Sequence, residues 1–173
     1  MNEVLVKILD ETKEWLKFAE AKNAMLLAFN AGSIYGISKL SFLNKIEGIN
    51  FIDGYFSFVT ILLVLSTATC LISFVPRLKF MYLSITNSKE ENNIFFFEHL
   101  GESTPKQILK SLKEKGVKDE FSEIDTDIAV QIHSLANVAR RKYGLFTIAI
   151  WITVSAYVSL IIAAIFAGYI YKK

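Results

Sequence analysis

Two stretches of this chain carry no charged residue: Gly54–Val75, with 22 residues, and Gly144–Tyr171, with 28. The hydrocarbon core of a bilayer is about 30 Å thick and takes roughly 20 apolar helical residues to cross, so both runs are long enough to span it. A third stretch, Asn23–Ser38, is uncharged for 16 residues. It reaches spanning length if Lys39 snorkels to the interface and Leu40–Leu43 complete the helix. The expectation is an all-α membrane protein with three transmembrane helices, at 23–43, 54–75 and 143–171. A length of 173 residues leaves no room for a separate catalytic domain beside such a membrane unit.

The N-terminal 22 residues hold five acids and four lysines, which is unlike the short basic start of a cleaved signal. Their apolar residues follow helical spacing. Val4, Ile8, Trp15 and Ala19 share a stripe that Leu5, Leu9, Leu16 and Phe18 widen, which predicts a cytosolic amphipathic helix over 1–22. Two roles fit a helix of this kind: packing on a partner helix or lying flat on the membrane. Packing is favoured, because the other end of the chain offers a partner. From Glu123 to Tyr171 there is no proline, and Ile124, Ile128, Gln131, Leu135, Val138 and Lys142 keep helical spacing up to the third span. One long helix, half cytosolic and half in the membrane, is expected there.

Between the two lies a cytosolic segment, 76–142, opened by Pro76-Arg77 at the end of the second span. Asn87–Asn93 reads as a turn, and Asn93–Phe97 as either a short strand or a helix start. Ser103-Thr104-Pro105 reads as a helix N-cap opening Lys106–Lys115, with a stop at Gly116. A connection outside the membrane is expected at 40–53. Lysine and arginine near the span ends predict the N-terminus and 76–142 inside and the C-terminus outside.

In the first span Ala24, Ala28, Gly32 and Gly36 recur every four residues, and in the third Ser155, Ser159, Ala163 and Ala167 do the same. Small residues at this spacing let helix backbones approach closely. Two such faces exceed what a three-helix chain needs, so a homo-oligomeric bundle is expected. No ionisable residue falls inside the two uncharged spans, which argues against a pump or proton relay. Gly32, Ser155, Ser159 and above all Asn30 are pore-lining or helix-packing candidates. An amide in lipid must find a partner, either a second Asn30 across the oligomer or a neighbouring backbone.

Catalysis has little to work with. There is no nucleophile elbow, phosphate-cradling glycine loop or HExxH, so no catalytic residue and no cofactor is expected, and the chain is not expected to be an enzyme. His99 and His133 lack partners at metal-ligand spacing, and no metal is expected either. Asp125 and Asp127 read as solvated or first-turn acids. Cys70 is a lone residue within the second span, so no disulfide framework exists. The informative cluster is cationic. Lys22, Arg77, Lys79, Arg140, Arg141 and Lys142 should all lie near the inner interface. Two readings remain open: topology determinants that touch anionic lipid, or a basic ring that holds a phosphate-bearing ligand. In the second reading His99, Tyr143 and Phe95–Phe97 would offer stacking surfaces for bases.

The ordered set Lys22-x-Ala-Met-Leu-Leu-x-x-Asn30-Ala, Pro76-Arg77, Asn93-x-x-Phe-Phe97-x-His99, Asp127-x-x-x-Gln131-Ile and Arg141-Lys142-Tyr143 resembles the Pycsar-type transmembrane effector family of bacterial anti-phage defence. The resemblance runs from about residue 15 to 165, and the related Hailong-type effector, a channel held shut by single-stranded DNA, is similar in architecture. It marks Lys22, Asn30, Arg77, Asn93, His99, Asp127 and Tyr143 as family-pattern positions. It implies an inner-membrane effector, a channel or a membrane-disrupting protein, gated by a nucleotide or short single-stranded DNA that a partner nucleotidyltransferase makes. A tetramer is the state expected by that analogy. The chain carries no appended cyclic-nucleotide domain, so any ligand would bind the cytosolic segment itself. The rival classes are a structural or adaptor membrane protein and a membrane toxin controlled by a protein partner.

Overall fold

Long stretches free of proline set the architecture. The computed structural model describes residues 3–47, 50–75, 93–117 and 120–171, with side chains for all of these except 43–47, 50–53 and 167–171. The described residues form an all-α protein of five helices: α1 (Glu3–Glu47), α2 (Asn50–Phe74), α3 (Phe97–Glu102), α4 (Pro105–Glu114) and α5 (Glu123–Tyr171). Residues 40–53, expected as a connection, are instead helical through Glu47 and again from Asn50. Ser41–Ile46 contains neither glycine nor proline, so nothing in the sequence stops the helix there. Pro76-Arg77 and most of the turn expected at Asn87–Asn93 lie outside the described residues.

Local chemistry explains the ends of the shorter helices. The Asn93 side-chain carbonyl accepts from the Phe95 backbone N–H at 3.0 Å, and the Phe96 N–H donates to the Asn93 carbonyl at 3.1 Å. The resulting turn leads into α3, so Asn93–Phe97 takes the helix-start reading rather than the strand. Thr104 caps α4 as expected. Its hydroxyl accepts from the Gln107 N–H, the Gln107 side chain accepts from the Thr104 N–H at 2.7 Å, and Pro105 follows at the first helical position. At the other end Gly116 adopts φ +74°. Its N–H reaches the Lys113 carbonyl while the Val117 N–H reaches that of Leu112, which satisfies two end carbonyls in a Schellman turn. Ser122 and Asp125 form a second reciprocal cap, at the start of α5. Asp125 is fully buried in that role, as a first-turn acid, whereas Asp127 is exposed.

The chain divides into two compact units. The first comprises 1–21 and 78–144. Its core joins Leu5, Ile8 and Leu9 of α1 to Phe97 and Leu100 of α3, Ile108 and Leu112 of α4, and Ile128, Ile132, Ala136 and Ala139 of α5. The N-terminal helix therefore packs on the other end of the chain. The buried stripes, however, are rotated from those the sequence suggests. On α1 the stripe centres on Leu5, Ile8, Leu9, Thr12 and Ala19, while Trp15 and Phe18 stay exposed. On α5 the helix buries its alanines, Ala129, Ala136 and Ala139, and leaves Ile124, Val130, Gln131 and Val138 exposed. Ile128 and Ile132 are buried beside them, and the inner face is small at Ala136 because α3 comes close there. A Cβ on Gly101 would lie 3.4 Å from the Ala136 carbonyl carbon and the Asn137 amide nitrogen.

Leu112 is wholly enclosed in this core. Leu112→Ala should destabilise the first unit by about 2–5 kcal/mol, the usual range for a buried leucine that leaves a cavity. Denaturant unfolding followed by tryptophan emission would read the loss, since Trp15 belongs to the same unit.

The second unit comprises 22–77 and 145–173. Leu26 and Ile37 of α1 are buried with Val59, Leu63 and Cys70 of α2 and Ala149 and Ala156 of α5. Two helices among the described residues are long and apolar enough to cross a membrane, over Gly54–Phe74 in α2 and within Glu123–Phe166 in α5. Outward-facing residues of this unit are large and apolar, among them Phe58, Ile61, Leu65, Trp151, Val158 and Ile162. That pattern suits a lipid solvent. Thr60, Thr67 and Thr69 return their hydroxyls to carbonyls four residues earlier, at 2.8–2.9 Å. Their own helix therefore satisfies them without a partner.

Candidate ligand-binding and helix-packing sites

Adjacent residues on a helix leave it about 100° apart, and the three consecutive cations of α5 accordingly meet three different surroundings. An Arg140 guanidinium N–H donates to Glu102 of α3 at 2.8 Å. The Lys142 ammonium donates to Glu20 of α1, also at 2.8 Å. Arg141 lies between them in sequence but on another side of the helix. Its Nε and Nη2 have almost no contact with solvent and no hydrogen-bond partner among the described residues. Lys22 belongs to the second unit, where its ammonium sits 5.7 Å from the centre of the Phe146 ring. Arg77 and Lys79 lie outside the described residues.

The aromatic residues expected near these cations pack largely on one another. Tyr143 stacks on Phe97, with ring centres 4.8 Å apart and planes 22° from parallel. Trp15 leans on Phe97 at 5.5 Å and meets Phe96 and Tyr143 edge-on. Such contacts fix the rings and add to their burial. Phe97 is buried beneath Tyr143, Phe96 and Tyr143 are half-buried, and Trp15 and Phe95 are exposed, with the Lys7 ammonium 5.8 Å over Phe95. His99 has its Nε2 3.5 Å from the Ser103 hydroxyl. His133 bridges elements: Nδ1 is 3.4 Å from the Leu100 carbonyl and Nε2 is 3.0 Å from the Asn137 amide nitrogen. The consistent assignment has Nδ1–H donating to the carbonyl and Nε2 accepting from Asn137. No group of three metal-ligating side chains occurs among the described residues.

Within the second unit Asn30 meets side chains of its own copy rather than a neighbouring backbone. It is fully buried and bonded to side chains from both other helices. Its amide N–H donates to the Ser66 hydroxyl at 2.9 Å, and its carbonyl accepts from Thr153 at 3.1 Å. Ser66 in turn donates to the Ala149 carbonyl at 2.8 Å and lies 2.8 Å from the Thr153 hydroxyl. One polar knot thus ties α1, α2 and α5 together. Towards one end, Ser33 and Tyr157 share a further hydroxyl contact between α1 and α5.

The small-residue faces differ from that knot. Ala24, Ala28, Gly32 and Gly36 are all exposed, and a Cβ added at Gly32 or Gly36 would meet no atom within 4 Å. On α5 Ser155 is exposed, while the half-buried Ser159 donates to the Ala156 carbonyl at 2.8 Å.

Sequence reasoning missed Glu20 and Glu102, the acids that pair with Lys142 and Arg140. It also set Trp15 in the apolar stripe of α1, where the structure leaves it exposed at the rim of an aromatic cluster. Each of these depends on contacts between distant segments, for which local spacing carries no signal. A family model, the Pycsar effector protein domain, matches residues 4–169. No curated protein and no solved structure matches the chain. The match takes in every described helix almost end to end, together with the membrane-grade apolar helices and the ordered motifs that first suggested it. The chain therefore belongs to the Pycsar effector family, membrane-associated effectors of bacterial anti-phage defence.

Proposed function

We propose that the protein is a homo-oligomeric channel or membrane-disrupting effector of the bacterial inner membrane, with the tetramer as its first-choice state. A nucleotide or short single-stranded DNA, made by a partner nucleotidyltransferase, binds its basic cytosolic residues and sets the state of the membrane pathway. Each copy crosses the bilayer three times, at 23–43, 54–75 and 143–171, with the N-terminus and 76–142 in the cytosol. The third crossing is supported by the packing of α1, whose Leu26 and Ile37 are buried among residues of both membrane-grade helices.

The observation that carries the oligomer is the unfilled face of α1 at Ala24, Ala28, Gly32 and Gly36. Small residues at such spacing in membranes let another backbone come close, and among the described residues no atom occupies the space above Gly32 or Gly36. The larger apolar residues that α5 leaves outward, Ile124, Val130 and Val138, support the same reading in the first unit. A pathway would then run between copies, because Asn30, Ser66 and Thr153 inside one copy already satisfy one another. Gating follows from charge. A polyanion that neutralises cations from several copies favours whichever arrangement holds them closest, and it shifts the equilibrium only by that difference in affinity.

The test is light scattering of the detergent-purified protein, with mass spectrometry of whatever nucleotide extracts from it and ion flux from liposomes holding it. An oligomer whose ion flux changes when a nucleotide or short DNA is added or stripped supports the proposal. A monomer that carries no nucleotide and conducts nothing would overturn it in favour of an adaptor or a toxin held by a protein partner.

A further inference from the structure

The run Arg140-Arg141-Lys142 looks like one basic patch in sequence, yet its members do different work. Arg140 and Lys142 are each engaged by an acid of the same unit, at 2.8 Å. Both close contacts between helices of that unit, from α5 to α3 and from α5 to α1. An incoming anion would have to displace Glu102 or Glu20 to reach them. Arg141 is different. It leaves α5 on the side that carries Ile124, Asp127, Gln131, Ser134 and Val138, all exposed and spaced by threes and fours like Arg141 itself. Its Nε and Nη2 are enclosed and lack a hydrogen-bond partner among the described residues, although the residue as a whole stays only half-buried.

A guanidinium cannot escape this situation by giving up its proton, since it stays charged at any pH the fold survives. A charge taken out of water without a counter-ion is costly. The group that best relieves it is an oxyanion with two oxygens spaced to match the guanidinium fork, and phosphate is the anion that recurs in this role.

We infer that Arg141 is the residue that receives the phosphate of the ligand, its guanidinium turning out of the enclosure towards the exposed side of α5, and that Arg140 and Lys142 hold the cytosolic helices together instead. This rests on the proposed phosphate-bearing ligand. It narrows that site from a ring of cations to one fork per copy. The phosphate can belong to a nucleotide or to a lipid headgroup, and the arms of the experiment separate the two.

The experiment uses the full chain in detergent as wild type, Arg141→Gln, Arg141→Lys and Arg140→Gln. Binding is measured to fluorescein-labelled short single-stranded DNA and to inorganic pyrophosphate. Association is measured with phosphatidylcholine vesicles that do or do not contain phosphatidylglycerol. Melting temperature is recorded with and without pyrophosphate. Arg141→Gln should weaken DNA binding by about 10–100-fold, as expected for a charge-assisted bond. Arg141→Lys should fall in between, since it keeps the charge and loses the fork. Pyrophosphate should raise the melting temperature of wild type and leave that of Arg141→Gln unmoved. Arg140→Gln should melt lower yet bind DNA within about threefold of wild type, the size of effect left when only a neighbouring charge is lost.

If Arg141→Gln binds as wild type does while Arg140→Gln loses binding, the inference is overturned and the ligand reading survives. If wild type binds only the phosphatidylglycerol vesicles, and does so through Arg141, the inference holds with lipid as the source and the nucleotide reading fails. If wild type binds none of the probes, both fail, and a group of the protein itself neutralises Arg141. Should Arg141→Gln not fold, Arg141→Lys against wild type decides the same question.

Discussion

Ser66→Val should cost the folded protein about 2–4 kcal/mol, and adding Asn30→Leu and Thr153→Val to it should return most of that loss. The single change removes the hydroxyl that accepts from the Asn30 amide at 2.9 Å and donates to the Ala149 carbonyl at 2.8 Å. It leaves a fully buried amide with one partner fewer, where no water can replace it. Interhelical hydrogen bonds between membrane helices are individually modest, at roughly 0.6 kcal/mol on average. The larger part of the loss is therefore the orphaned polar group, not the bond itself. That asymmetry predicts the recovery, because replacing every partner by an apolar group of similar shape leaves nothing to desolvate. Unfolding in mixed detergent micelles, read for the single, double and triple variants, gives the coupling directly. Additive losses across the three positions would show that the knot is not a unit.

Gly32→Leu with Gly36→Leu should convert the proposed oligomer to monomers while leaving each copy as stable as before or more so. A Cβ at either position meets nothing within 4 Å among the described residues of the copy, and glycine is a poorer helix former than alanine by roughly 0.8–1 kcal/mol, with leucine ranked next to alanine. The bulk falls only where a second backbone would come to rest. Light scattering of the purified variant reads the assembly, a melt reads the fold, and protection of cells from phage reads the function. All three distinguish lost assembly from lost folding, since the melt should hold while the other two fall. An oligomer that persists in this variant would move the interface away from α1.

Much of the fold can be read from the sequence because the decisive signals are local. Thr104-Pro105 and Gly116 each act within a few residues, and α4 begins and ends accordingly, while the absence of charge over Gly54–Val75 marks most of α2. Where the sequence misleads, the cause is a contact from far away. The inner face of α5 is decided by how near α3 comes, and Gly101 with Ala136 makes that approach possible. Counting apolar size along α5 therefore picks Ile124 and Val138 and misses the alanines. The partners of Arg140 and Lys142 stand 38 and 122 residues away, beyond any spacing rule. Asn30 is visible as a polar residue in an apolar run, but Ser66 and Thr153 resemble any other span hydroxyls until the helices are packed. The family, by contrast, is legible because its signature is a set of short motifs in fixed order, which needs no contacts to be recognised.

The core of the first unit also has a history in time. Leu5, Ile8 and Leu9 leave the ribosome about 120 residues ahead of their partners Ile128, Ile132, Ala136 and Ala139. At about 5–20 residues per second, that delay is on the order of ten seconds. Throughout it the N-terminal helix has no covering surface from α5, and the two intervening helices α3 and α4 have only part of theirs. A chain cut short by a nonsense codon or a stalled ribosome before α5 has α1 and α2 but no finished core in the first unit. For this anti-phage effector, the core of the first unit thus waits on the synthesis of α5.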